Sequence, residues 1–391
     1  MKKLSLLMIF ALLVANFGFI FGGAPVAAAT PIKVIVNDSA LAMDVAPVVQ
    51  NGRTLVPLRA IFEAIKAKIN WDAKTQTVTA TKGETTIKLT IGSATAYKNG
   101  ALIKLDAAAK IVKGRTLVPV RFVSEALGLK VNWDAKTSTV TVDQFAGLSG
   151  SLKISGSTSV QPLAQDLADT FMKKNPNVHI TITGGGSGVG VKDATEGKVN
   201  IGNSSRYLKA EETKVLTPYV IANDAVVVVV NPENPVKALT TEQVKKIFTG
   251  QIVNWKDLGG ADAPIILNAR DAASGTGEYF IEHFLGKGGK LAATAKTHAS
   301  NGLVRQAVAS NKNAIGYLSL GYVDKTVKAP TLDGVVPSEA NAKAGTYKVM
   351  RPFIMATKGE ATGLSKLFIE WIQSPAGQRI VANEYLPVET D

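Results

Sequence analysis

No cysteine occurs anywhere in the 391 residues. That excludes disulfides, thiolate-ligated metal, a cysteine nucleophile and the lipid-modified cysteine that tethers many exported proteins. Histidine is nearly as scarce, with His179, His283 and His298 scattered along the chain. Gly-x-Ser-x-Gly, Ser-x-x-Lys, His-Glu-x-x-His and the phosphate-cradling P-loop are all missing, so no catalytic residue, metal ligand or cofactor is assigned. Apolar runs are short after residue 21, and none of them could span a bilayer.

Acidic residues are also in deficit, 31 against 44 basic ones, for a net charge of +13. The excess is uneven, because residues 30–143 alone hold 16 Lys+Arg against 9 Asp+Glu. Such a front half attracts polyanions, for example the phosphate-rich polymers of a Gram-positive wall or acidic lipid. Nucleic acid fits poorly, since aromatic stacking platforms are few in the basic half. Ahead of it, Lys2 and Lys3, an apolar run over residues 4–21 and Ala27-Ala28-Ala29 form the pattern of a secretory signal cleaved near Ala29. Residues 1–29 are therefore read as a signal peptide and the chain as secreted, with an uncleaved anchor as the alternative.

The next stretch is duplicated. Asn51-Gly52-Arg53-Thr54-Leu55-Val56-Pro57-Leu58-Arg59 returns 62 residues later as Lys113-Gly114-Arg115-Thr116-Leu117-Val118-Pro119-Val120-Arg121. The same offset maps Asn70-Trp71-Asp72-Ala73-Lys74-Thr75 onto Asn132-Trp133-Asp134-Ala135-Lys136-Thr137. Each copy reads as alternating strand, a helix after the proline, and a hairpin. The four repeated arginines are read as turn-and-cap residues.

Residues 144–150 read as a linker, and beyond it strands alternate with helices, which argues for an α/β domain over residues 151–391. Three strands run into loops of small hydroxyl residues, at Gly156-Ser157-Thr158-Ser159, Gly184-Gly185-Gly186-Ser187-Gly188 and Asn203-Ser204-Ser205-Arg206. Strand ends of this kind are where open α/β sheets bind ligands. The apolar run over residues 225–230 suits a strand buried on both faces, and Thr240 with Gln243 forms a capping box. Arg270-Asp271-Ala272-Ala273-Ser274-Gly275-Thr276-Gly277, followed by apolar residues at helical spacing, has the makings of an anion seat: a guanidinium fork, hydroxyls and a helix start.

Two resemblances follow from these motifs. The duplicated module, residues 30–143, resembles the copper amine oxidase N-terminal stalk domain of exported Firmicutes proteins. It implies no oxidase chemistry, since all three histidines lie outside it. Residues 151–391 resemble the phosphate-binding proteins of bacterial phosphate ABC importers, through Ser155 to Ser159, Gly184 to Gly188, Ile201 to Arg206, Ile247 to Gly260, Arg270 to Thr276 and Ser374-Pro375-Ala376-Gly377-Gln378.

The second resemblance implies an α/β two-lobed periplasmic-binding-protein (type II) fold, here preceded by a small duplicated α+β module. It implies a monomeric extracellular receptor that captures inorganic phosphate for a membrane ABC permease. Carried over by position, Thr158, Ser159, Ser187, Ser205, Arg270, Ser274, Gly275 and Thr276 would contact the anion. Many members place an Asp where Ser205 stands, as acceptor for the proton of phosphate. Asp224, just ahead of the buried run over residues 225–230, is the preferred substitute, with Asp271 next and expected chiefly to orient Arg270. The alternative is an exported wall-associated structural, adhesion or sensing protein with a general oxyanion or vestigial site.

Overall fold

The computed structural model describes residues 31–389, so the signal-peptide reading of residues 1–29 lies outside the described residues. Among those described, no helix is long and apolar enough to cross a membrane.

In the duplicated module each copy has the expected hairpins and a short helix, Leu58–Ala64 and Val120–Ala126. The Asn-Gly and Lys-Gly dipeptides are the two positive-φ residues of tight hairpin turns: Asn51 and Gly52 have φ of 51° and 69°, Lys113 and Gly114 of 48° and 74°. In the second motif Asp72 accepts from the backbone N–H of Lys74 and the hydroxyl of Thr75, and Asp134 does the same for Lys136 and Thr137. Side-chain closure of the turn thus explains the Asp, Lys and Thr positions of that motif. It does not explain the tryptophans.

The copies are not closed units. Strand Lys33–Val36 of the first copy pairs in parallel with Thr139–Asp143 of the second, whereas Thr95–Lys98 of the second joins the sheet of the first through Thr85–Thr90. The two Arg-Thr-Leu-Val-Pro strands pair with each other, Val118 opposite Val56. Exchange of strands gives one shared core around Val56, Phe62, Ile87, Val118, Val123 and Val142. Two of the four arginines do more than the turn-and-cap reading gave them: Arg53 Nε donates to Asp106 at 2.7 Å and Arg115 Nε to Asp44 at 2.5 Å, each reaching into the other copy, whereas Arg59 and Arg121 stay at their helix starts, 4.0 Å from Glu63 and Glu125 of the same helix.

Residues 144–150, read as a linker, are pinned at several points. Asn175 donates to the Phe145 carbonyl and accepts from Leu148 N, and Gln144 N donates to Asn37. Lys174 bridges Asp38 and Asp143 of the module at 2.5 and 2.6 Å.

From Ser149 onward the strands run in the order 177–183, 149–156, 201–204, 350–358, 216–230, 314–319, 266–270 and 296–298. Helix Gln161–Lys174 turns Leu163, Leu167 and Phe171 inward, with Pro162 in its first turn where a missing N–H costs nothing. Truncating Phe171 there would cost about 3–5 kcal/mol. The capping box at Thr240 and Gln243 is formed, and helix Thr241–Phe248 follows it.

Two separate cores flank this sheet. One gathers Leu152, Ile154, Phe171, Ile221, Phe353 and Trp371, the other Val226 to Val230, Phe248, Phe280 and Tyr317. Strand Leu216–Val230 belongs to both: it pairs with Met350–Lys358 over residues 216–225, then with Ala314–Ser319 over 226–230. Its only acid and amide, Asn223 and Asp224, fall where it leaves one core for the other, opposite Pro352 and Arg351. This defines two lobes joined by crossing strands, with a polar seam between two apolar masses.

Candidate functional site

Three loops of the first lobe meet one loop of the second at that seam. Gly156 is required for the first of them. Its φ of 136° lies in the left-handed half of the map, and a Cβ would meet the Asn203 backbone at 3.0 Å or less. The close approach stacks the first and third loops, so that Ser157 Oγ donates to Ser205 Oγ at 2.8 Å. Ser187 Oγ accepts from Ser205 N at 3.0 Å and lies 3.3 Å from Ser205 Oγ.

From the second lobe come Arg270, at the end of strand Ile266–Arg270, and Ser274-Gly275-Thr276 at the start of helix Gly275–Phe280. Ser274 caps that helix by accepting from Gly277 N. Ser159 Oγ and Thr276 Oγ1 meet across the lobes at 2.8 Å, Arg270 Nη2 donates to Thr158 Oγ1 at 3.1 Å, and Gly188 N donates to the Ala273 carbonyl. All eight residues inferred from the resemblance are therefore brought together, and all are buried.

Five further residues were not assigned from the sequence. Arg351 is the largest of them and is fully buried. Its Nε and Nη2 both donate to Asp224 Oδ2, at 3.1 and 2.8 Å, while Nη1 reaches Thr276 at 2.7 Å and Ser205 at 3.2 Å, and Nη2 reaches Ser159 at 3.0 Å. Asn301 donates to Ser159 at 2.8 Å, Tyr322 donates to the Thr158 carbonyl, and Ser319 donates to Asp224 Oδ1. Ser157 completes the group. Arg351 stands directly ahead of the apolar stretch Pro352 to Ala356 in strand Met350–Lys358, and a charge at the head of that stretch was the available signal.

Arg270 is held by carbonyls, His298 on Nε and Ala299 on Nη2, and not by Asp271 as expected. Its Nη1 is buried and has no protein partner. Burial, with the like charge of Arg351 second, pushes its pKa down to about 10. Burial likewise pushes the Asp224 carboxyl up and the Arg351 guanidinium down, each opposed by the other's charge. Their contact geometry supports an ionised pair. Two buried guanidiniums thus face one paired carboxylate amid hydroxyl donors, and a compact oxyanion would balance the charge.

Arg206 does not pair with Asp224. It pairs with Glu212 at 2.8 Å in its own lobe, and its Nε lies 2.6 Å from Glu278 of the other lobe, where Lys209 also reaches. This ion-pair group bridges the two lobes.

The arrangement defines a class: a two-lobed binding protein with a buried seat for a small oxyanion between its lobes. The sequence pattern of the PBP superfamily domain matches residues 79–376, and the chain belongs to that superfamily. The matched span opens within the duplicated module, ahead of strand Ser149–Gly156. The chain is 39% identical over 246 residues to the phosphate-binding protein PstS of Bacillus subtilis, covering 61% of this chain and 81% of that protein. Its receptor domain is PstS-like. Among solved structures, a phosphate ABC transporter substrate-binding protein from Clostridium perfringens, crystallised with phosphate, is similar at 42% identity and a TM-score of 0.60. It covers 61% of this chain and is itself covered in full. An ABC-type phosphate transport receptor from Vibrio cholerae is similar at 34% identity and a TM-score of 0.53, with 61% of this chain and all of that one covered.

Proposed function

We propose that the chain captures inorganic phosphate outside the cell and hands it to a membrane ABC permease, as a monomeric carrier that performs no chemistry on its ligand. The observation that carries this is the buried Arg270, whose Nη1 has no protein partner, beside Arg351 and the hydroxyls of Thr158, Ser159, Ser187, Ser205 and Thr276. Relatives named for phosphate binding support the choice of anion. In the same reading residues 1–29 direct export. The module over residues 30–143 is a stalk of the copper amine oxidase N-terminal kind, whose positive charge holds the chain near anionic wall polymers.

Phosphate at a hundredfold excess over its Kd should stabilise the receptor by about 2.7 kcal/mol, a rise in Tm of roughly 5–10 °C. Arg270→Ala should lose that rise and the calorimetric binding signal while folding normally. A variant that binds phosphate as the parent does would falsify the assigned site.

Discrimination against sulfate needs an acceptor for the proton that phosphate keeps at neutral pH. Ser205 Oγ already accepts from Ser157 and Arg351, which leaves its own proton to donate. Asp224 has Oδ2 occupied by Arg351 and Oδ1 by Ser319, whereas Asp271 keeps a buried Oδ1 with no donor. This favours Asp271 as the acceptor over Asp224, the choice made on the sequence. Asp271→Asn should weaken phosphate roughly tenfold to a hundredfold, the worth of one charged hydrogen bond, and let sulfate compete. Unchanged phosphate affinity with sulfate still excluded would move the acceptor to Asp224.

A further inference from the structure

The strand exchange in the duplicated module builds two grooves on matched positions of the copies, one larger than the other and neither part of the phosphate site. The first, about 930 Å³, runs between Trp71, Pro57 and Arg59 of the first copy and Ile111 and Arg115 of the second. The other, about 300 Å³, is lined by Trp133, Pro119, Arg121, Val49 and Arg53, the same positions with the copies interchanged. Both volumes lie in the range of small-ligand clefts. The tryptophans are 41% and 43% exposed, on edge strands Lys68–Asp72 and Lys130–Asp134. Burying an indole contributes stability, so two half-exposed ones at matched positions are not explained by the fold.

We propose that each groove binds a sugar ring of an uncharged glycan chain, a β-linked run of N-acetylated hexopyranoses, with the indole as stacking face. The charge of the grooves selects this occupant. In the first, Arg115 is paired with Asp44 at 2.5 Å and Arg59 faces Glu63 at 4.0 Å, so its lining charges balance. The second is lined by Arg53 and Arg121 with the amide of Asn132, and each arginine is matched by a carboxylate outside the lining, Asp106 at 2.7 Å and Glu125 at 4.0 Å. A polyanion needs donors alone. An Arg–Asp pair beside an indole offers donors and acceptors together, which is what sugar hydroxyls and an acetamide require. Apolar Leu58, Ile69 and Ile111 supply a floor for the acetyl methyl. Two copies of one site on one module suit a polymer that repeats, because engaging both raises avidity by about 10²–10⁴ over a single groove.

The proposal rests on the reading that the module retains the chain at the wall, and the experiment separates the two. Full-length protein is pelleted with Gram-positive sacculi stripped of phosphate polymers by hydrofluoric acid, in low salt and in about 0.5 M NaCl, where charge attraction is screened within a few ångströms. Binding that survives salt is expected, with a loss of about a hundredfold in the Trp71→Ala/Trp133→Ala variant and an unchanged phosphate Kd. The other tryptophans, Trp255 and Trp371, are buried at 1% and 2% exposure, so acrylamide quenching of fluorescence reports the grooves. Soluble N-acetylglucosamine oligomers should protect the parent from acrylamide. If the double variant binds sacculi as the parent does, the groove assignment is overturned and wall retention stands. Complete release by salt also overturns the glycan and leaves retention electrostatic. Failure of the parent to bind stripped sacculi overturns the glycan and leaves retention to the phosphate polymers that the acid removed, whereas binding abolished by protease treatment of the sacculi overturns the glycan and makes the occupant a peptide.

Discussion

Arg351→Met should abolish phosphate binding and lower the unfolding free energy by roughly 3–5 kcal/mol, the cost of leaving a buried carboxylate without its cation. Arg351 and Asp224 have side-chain exposures of 0% and 1%, so solvent cannot take over the role of either partner. Adding Asp224→Asn in the same chain removes the stranded charge. The double variant should recover most of the lost stability and none of the binding. The two properties separate because the guanidinium has two sets of partners: Nε and part of Nη2 serve Asp224, while Nη1 and the rest of Nη2 serve Ser159, Ser205 and Thr276 in the cleft. Urea denaturation and titration calorimetry on the three proteins give the answer. Restored phosphate binding in the double variant would reduce Arg351 to a structural ion pair, and a single variant as stable as the parent would mean the pair is not a buried charge couple.

That pair also marks where reading the chain by eye stops. The apolar run over residues 225–230, the capping box at Thr240 and the small-residue loops are local patterns, and each appears in the fold as a buried strand, a capped helix and a wall of the cleft. Arg270 could be picked out because its neighbours Ser274, Gly275 and Thr276 are adjacent in sequence. Arg351 could not, because its partner Asp224 is 127 residues away and a charge inside a strand reads as a break in the pattern. Asn301 was obscured in the same manner, since it follows Ser300, whose hydroxyl accepts from Leu303 N as an ordinary helix cap. In the duplicated module the period of each strand was plain, but periodicity cannot say which copy's sheet a strand will join. Nothing in residues 33–36 announces pairing with residues 139–142 rather than with their own copy. Likewise Asp271, adjacent to Arg270, was a natural orienter on sequence grounds, yet carbonyls of residues 298 and 299 reach the guanidinium first.

One methyl group at position 275 should hold the two lobes apart. Gly275→Ala should weaken phosphate binding by up to about a hundredfold while leaving the second lobe folded and at least as stable. Gly275 is the first residue of helix Gly275–Phe280 and does not have positive φ, so alanine suits its backbone, and alanine is the better helix former. The obstacle lies across the cleft. A Cβ at 275 would stand 2.8 Å from Ser187 Cβ and 3.1 Å from Ser205 Oγ, and would overlap Ser187 Oγ. Overpacking of this kind costs about 1–3 kcal/mol in the state that suffers it, which is roughly 5- to 150-fold in affinity when only the closed state is affected. The open state pays none of this, so the loss registers as a smaller closed fraction. Wedging the lobes should also separate Arg206 from Glu278 and Ser159 from Thr276, contacts that exist only between lobes. Small-angle scattering should then show phosphate compacting the parent and not the variant, and calorimetry should show the weaker binding. In the Gly275→Ala/Ser187→Gly chain the space is returned while one hydroxyl is lost, so compaction should recover and affinity should stay below the parent by no more than about tenfold, the worth of one neutral hydrogen bond. If Gly275→Ala compacts and binds as the parent does, the lobes close on phosphate in a different register, and the contacts between Ser187 and Gly275 are incidental to capture.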